Sequence, residues 1–286
     1  MKALVTVFGV LFAASAALGQ ASTAKPADPP TQASTPAAAA PAQHQPQAKS
    51  KEEFDAYNAA FAKADAAQAE AAADEFAQKF PASELKELLY VRTMTLYQQQ
   101  NNSGKVILVG RKAIELNPTN PVPLVAVAAS LVSDTRDNDL DRDGRYAEAA
   151  KDAQAALDNM ETGLQVPPGV PPASVEAAKA NLRSISYDTL GTIAASKKDY
   201  VTAEQDYQKA AELMKDQPDA VVYLRLSVVQ DNLQKYPAAL DSASKAFQYA
   251  PEGSAEKNLA KQQQERLQKL VAGSAPATSA PAAQPH

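Results

Sequence analysis

Asp139-Leu-Asp141-Arg-Asp143-Gly144 is the sharpest local motif in this 286-residue chain. Carboxylates at alternate positions followed by glycine match the start of a calcium loop. There the acids fill the first ligand places and the glycine makes the tight turn. The bidentate acid that should close such a loop is missing, since Ala150 stands in its place and Glu148 falls two residues early. Arg136, Arg142 and Arg145 supply countercharges without a metal. The motif therefore reads either as a calcium or small-ligand module on Asp139–Gly144, with Asp139, Asp141 and Asp143 as ligands, or as a solvated, self-paired acidic loop or helix extension.

Other chemistry is scarce. Ser103-Gly104-Lys105 hints at a phosphate loop, but Gln99 stands where its first glycine belongs and Val106 replaces the magnesium-binding hydroxyl. The two histidines, His44 and His286, lie in low-complexity tails, and cysteine is absent. The commonest general base, metal ligand and thiol nucleophile are thus missing from the segment expected to fold. No catalytic residue and no cofactor are expected. A net charge of −5 disfavours nucleic acid, which demands a basic face.

The elements around these residues read as helices. Much of the apolar content is alanine, which favours closely packed helices over a sheet sandwich. No run alternates with period two, and the prolines fall between amphipathic segments or in first turns. Residues 1–21 have the parts of a secretory leader. Lys2 is the basic start, Ala3–Leu18 the apolar stretch, and small residues set cleavage after Gly19 or Ala21. That run is too short to span a bilayer, so no stable membrane span is expected after cleavage. Residues 22–49 and 273–286, rich in Ala, Pro and Gln, read as a disordered tether and tail. Ser50 and Glu53 form a capping box that opens the folded segment, 50–272.

Within that segment a unit of about 34 residues recurs. Residues 184–217 carry Tyr187, Leu190, Gly191, Tyr200, Ala203, Tyr207 and Ala210; residues 220–253 carry Tyr223, Leu226, Tyr236, Ala239, Ala246 and Pro251 in the same register. Weaker copies span 50–83, 87–120 and 121–160, and a helix over 254–271 caps the last one, with Leu259, Leu267, Leu270 and Val271 on one face. This pattern resembles the tetratricopeptide repeat, as found in exported bacterial proteins. The resemblance implies an all-α fold, an α-solenoid of helix–turn–helix repeats in which small residues let paired helices touch. Gly191→Leu should then overpack, whereas Gly191→Ala should be mild. The connector Val166-Pro-Pro-Gly-Val-Pro-Pro172 precedes a longer helix that divides the repeats into two parts.

The resemblance also places function. First helices line a concave groove, which assigns Arg92, Thr95, Gln99, Leu224, Arg225, Val228, Asp231 and Asn232 as partner-binding candidates. Lys209 and Lys245, on second helices, should face away from packing. The expected function is a non-catalytic protein–protein interaction scaffold, periplasmic or secreted, whose partner is an unidentified protein or peptide.

Overall fold

The computed structural model describes residues 45–167 and 169–274 of the chain. The segment read as a leader, most of the one read as a tether, both histidines and the end of the segment read as a tail lie outside them. The described residues form helices joined by turns, with no strand. In chain order these are α1 (Lys51–Phe61), α2 (Ala66–Lys79), α3 (Leu85–Gln99), α4 (Ser103–Leu116), α5 (Pro121–Asp134) and α6 (Arg142–Asp158). The long α7 (Pro172–Ser196), α8 (Tyr200–Leu213), α9 (Ala220–Asn232), α10 (Tyr236–Tyr249) and α11 (Ala255–Ser274) follow. Consecutive helices pack from α1 to α4 and from α8 to α11, and α1 also meets α3, and α9 also meets α11. Contact between alternate helices is what stacked hairpins require, so the fold is an all-α solenoid of helix–turn–helix repeats.

Local chemistry sets the helix limits. Ser50 caps α1, with Glu53 N donating to its Oγ at 3.1 Å, while Lys49 N donates to the Glu53 carboxylate at 2.7 Å. Asp65, Asn102, Asp199, Asp219 and Ser254 cap α2, α4, α8, α9 and α11 in the same way. Asn101, Lys198 and Gln234 each take a left-handed backbone, with φ of 52°, 62° and 60°. They occupy one repeat position, in the turn between paired helices, and each is followed by a bond back across the helix end. Asn102 N reaches Tyr97 O, Asp199 N reaches Ala194 O and Lys235 N reaches Gln230 O.

The described residues form two compact units, one holding those within 45–130 and 158–178, the other those within 131–157 and 179–274. The long helix α7 does carry a division, as its length implies, but further divisions fall inside α5 and at the end of α6. The units therefore do not separate between whole repeats. In the second unit, Ala203 and Ala210 are fully buried beside Tyr207, Ala239 and Ala243 are fully buried beside Leu267, and Ala246 is fully buried as well, so small residues mark the helix contacts as expected. Two sequence expectations change here. Gln45–Lys49, read as tether, lie against the first unit: Gln45 Nε2 donates to Val166 O at 3.1 Å and Lys49 Nζ to Ala82 O at 2.8 Å. On α11, Leu267 is buried but Leu259 is 53% exposed, so the two do not share the packed face.

In the first unit two acids stitch three helices together. Glu70 on α2 accepts from Tyr97 at 2.6 Å and Lys105 at 2.8 Å; one turn later Asp74 accepts from Tyr90 at 2.9 Å and Lys112 at 2.7 Å. Burial raises the Glu70 carboxyl, but the bonds from Lys105 and Tyr97 outweigh it and hold the group below its usual range. A depressed folded-state value means that this stabilisation is complete above the unfolded pKa and lost as pH falls through the folded one. Glu70→Gln should cost about 1 kcal/mol at pH 7, given the exposure of Lys105. The difference from the parent should shrink on going to pH 3; urea midpoints at the two pH values measure it.

Candidate functional site

The groove candidates fall in both units. In the second unit they lie on α9, which packs between α7 and α11 through its neighbours. Arg225 pairs with Asp188 of α7, and Asp231 pairs with Arg266 of α11. The side chains of Asp188 and Asp231 are only 22% and 18% exposed. Burial pushes the Asp188 carboxyl up, and the attraction of Arg225 offsets only part of that. Asn232 Nδ2 donates to Val228 O at 2.8 Å, closing the last turn of α9. Val228 remains 45% exposed, Leu224 is half-buried, and Leu259 of α11 is exposed.

The face is thus an apolar strip whose cations are already neutralised by their own neighbours. Both sequence-assigned arginines do structural work. Arg225→Glu would place a second carboxylate beside the mostly buried Asp188, so loss of binding by that variant would also report damage to the fold.

In the first unit, Arg92 Nε donates to Phe61 O at 2.9 Å and its guanidinium lies 4.7 Å from the Phe61 ring centre, closing the end of α1. Thr95 is buried, its hydroxyl donating to Val91 O at 2.9 Å, and Gln99 is exposed. Of these three, only Gln99 stands well clear in solvent. Lys209 and Lys245 do not face away from packing either. Their ammonium groups lie 4.8 and 5.7 Å from the ring centres of Tyr187 and Tyr223, and they pair with Asp206 and Asp241.

The acidic motif does not make a loop. A calcium loop needs roughly twelve residues of ligand-bearing turn, but α6 begins at Arg142, inside it. Asp139 accepts from Arg136 N at 2.9 Å, Asp141 pairs with Arg145 at 2.7 Å, and Asp143 lies 3.3 Å from Arg142. The arginines weighed as countercharges take the places a cation would have. Among the described residues no group of three or more acids or histidines is arranged to hold a metal ion.

One feature of the first unit has no sequence signal. A cleft of about 550 Å³ opens between the α2–α3 turn, the end of α4 and the segment around Gly163, with Pro46 on its edge. Glu87, 5% exposed, forms its floor. It accepts from Asn120 at 2.5 Å and from Asn117 and Gln165, both at 3.1 Å. Burial raises its carboxyl, and the three carboxamides offset only part of the rise. These partners lie 30, 33 and 78 residues away in sequence, so no local pattern could have found them.

No family model matches the chain, and no curated protein matches it in sequence. Among the described residues no helix is long and apolar enough to cross a membrane. Solved structures with a similar course of helices include PilW, described as a widely conserved type IV pilus biogenesis factor. It is 16% identical, with 80% of this chain and 96% of that chain covered, at a TM-score of 0.47. Others are Acl4, an assembly chaperone of RpL4 (10% identity, 78% and 98% covered, TM-score 0.41), and the APC/C hetero-tetramer Cut9–Hcn1 (14%, 76% and 42%, 0.35). At identities this low and TM-scores below 0.5, the likenesses carry no argument about what this chain binds.

Proposed function

We propose that the chain is a non-catalytic protein-interaction scaffold that works outside the cytoplasm and binds a partner segment across the α9 face of its second unit. The supporting observation is the apolar strip there. Val228 is exposed and Leu224, one turn before it, half-exposed, on a face whose charges are internally paired. Exposed apolar side chains framed by satisfied polar groups are the usual centre of a protein interface. The partner segment is held chiefly through apolar side chains, and an acidic terminus finds no free cation on this strip. The extracytoplasmic location rests on the leader-like sequence of residues 1–21, which lie outside the described residues.

Val228→Glu should weaken partner capture from an envelope extract by about tenfold or more, as expected for a central apolar contact. Val201→Glu is the control: Val201 is 56% exposed and lies on α8 rather than α9. Quantitative cross-linking and mass spectrometry with the two variants and the parent make the comparison. Equal loss in both, or loss in neither, would remove the α9 face as the binding surface.

A further inference from the structure

We propose that the cleft of the first unit is a binding site for a primary ammonium group, seated on Glu87 at its floor. Glu87 is buried, lines an open cleft, and is held by neutral carboxamides alone. A buried anion is costly without a countercharge, and the cleft is the route by which one can arrive. The charged side chains that line the cleft beside it are Glu84, just before its helix, and Lys86, on that helix; Lys49 before α1, Lys79 on α2, Lys112 and Glu115 on α4, and Glu161 near Gly163 lie on elements around it. Burial pushes the Glu87 carboxyl up, and the bonds from Asn120, Asn117 and Gln165 offset part of that rise.

The rim gives a second, independent observation. Lys86 Nζ donates to Pro81 O and Lys49 Nζ to Ala82 O. Consecutive carbonyls just beyond the C-terminal end of α2 thus each hold an ammonium, as the negative end of a helix favours. The chain's own lysines display the chemistry the rim accepts, while the floor has no such partner. The hydroxyls of Ser83 and Thr162 add acceptors along the walls. A volume of about 550 Å³ lies within the range of small-ligand sites. A free aliphatic amine or the lysine side chain of another protein would both present the required group.

The full chain can be titrated with 1,5-diaminopentane, with 1,5-pentanediol as its uncharged counterpart, and with a capped Gly-Lys-Gly peptide. Amide signals of Glu87, Asn117 and Gly163 report occupancy. The diamine or the peptide should move them, and the diol should not. Tighter binding of the diamine identifies a free amine as the ligand source, and tighter binding of the peptide a lysine side chain. An ammonium stabilises the ionised carboxylate, so affinity should fall as pH drops through the raised Glu87 value, with protons released on binding there.

Glu87→Gln should weaken binding at least about tenfold and remove its pH dependence, because it deletes the charge the ammonium sits on. Lys86→Ala should instead tighten binding, since it removes the competing cation that lines the cleft and leaves the floor intact. Binding of the diol as strong as the diamine, no binding by either amine, or undiminished binding by Glu87→Gln would overturn the site. If Glu87→Gln does not fold, failure of Lys86→Ala to tighten binding would overturn it. None of these outcomes bears on the α9 face, so the two sites stand or fall separately.

Discussion

Gly163→Ala should destabilise the first unit by about 3 kcal/mol or more, at the upper end of what overpacking costs. A β-carbon at residue 163 would lie 1.9 Å from Thr119 O and 2.8 Å from Thr119 C, with Asn159 O at 3.0 Å. The first two obstacles are one rigid carbonyl of the α4–α5 turn, so no rotamer change relieves the clash. The segment must lift away, and with it go Met160 and Leu164, each 1% exposed. Exposing two such side chains costs about 1.5–3 kcal/mol each, which sets the ceiling on the loss. Lifting also separates Gln165 from Glu87 and so dismantles the cleft. Urea denaturation should show the loss, and hydrogen exchange at Leu164 should rise with it. No side-chain substitution at Thr119 should rescue the variant, because the obstacle is main chain. A loss below about 1 kcal/mol, smaller than a typical overpacking penalty, would mean that the segment is not docked on the turn.

What the sequence revealed, and what it hid, follows from the range of the interactions involved. Helices and their phase depend on contacts within a turn or two, and the small residues Ala203, Ala210, Ala239 and Ala246 carried the repeat register in full. The left-handed turns at Asn101, Lys198 and Gln234 were hidden because none of the three is glycine; the bonds of Asn102, Asp199 and Lys235 back across the helix end hold them. Arg92 and Arg225 were recognisable as cations at groove positions. Their commitments to Phe61 and Asp188 were not, since those partners lie 31 and 37 residues away. The acidic motif was legible for the opposite reason, and of its two readings the structure matches the self-paired one. It is entirely local, and equally local ion pairs to Arg142 and Arg145 absorb it into the start of a helix.

Gly191 provides the sharper test of the repeat register, because its obstacle is a side chain. A β-carbon there would sit 2.9 Å from both Cδ1 and Cε1 of Tyr207. That ring is 2% exposed, and its hydroxyl donates to Thr192 Oγ1 at 3.1 Å, so it has little room to retreat. Helix propensity alone makes Gly191→Ala favourable by up to about 1 kcal/mol; the contact reverses that sign. Gly191→Ala should therefore destabilise the second unit by about 1–2 kcal/mol, and Gly191→Leu by about 3 kcal/mol or more. The mild effect expected from the repeat pattern thus gives way to a measurable one. Tyr207→Leu should be costly alone, through lost volume and the lost bond to Thr192. Combined with Gly191→Ala, however, it vacates the space the new methyl needs. The double variant should be more stable than the sum of the single losses by about 1 kcal/mol or more, the size of coupling found between touching residues. Thermal or urea unfolding of the four proteins completes the cycle. Simple additivity would show that Gly191 and Tyr207 do not touch, and the pairing of α7 with α8 would have to be redrawn.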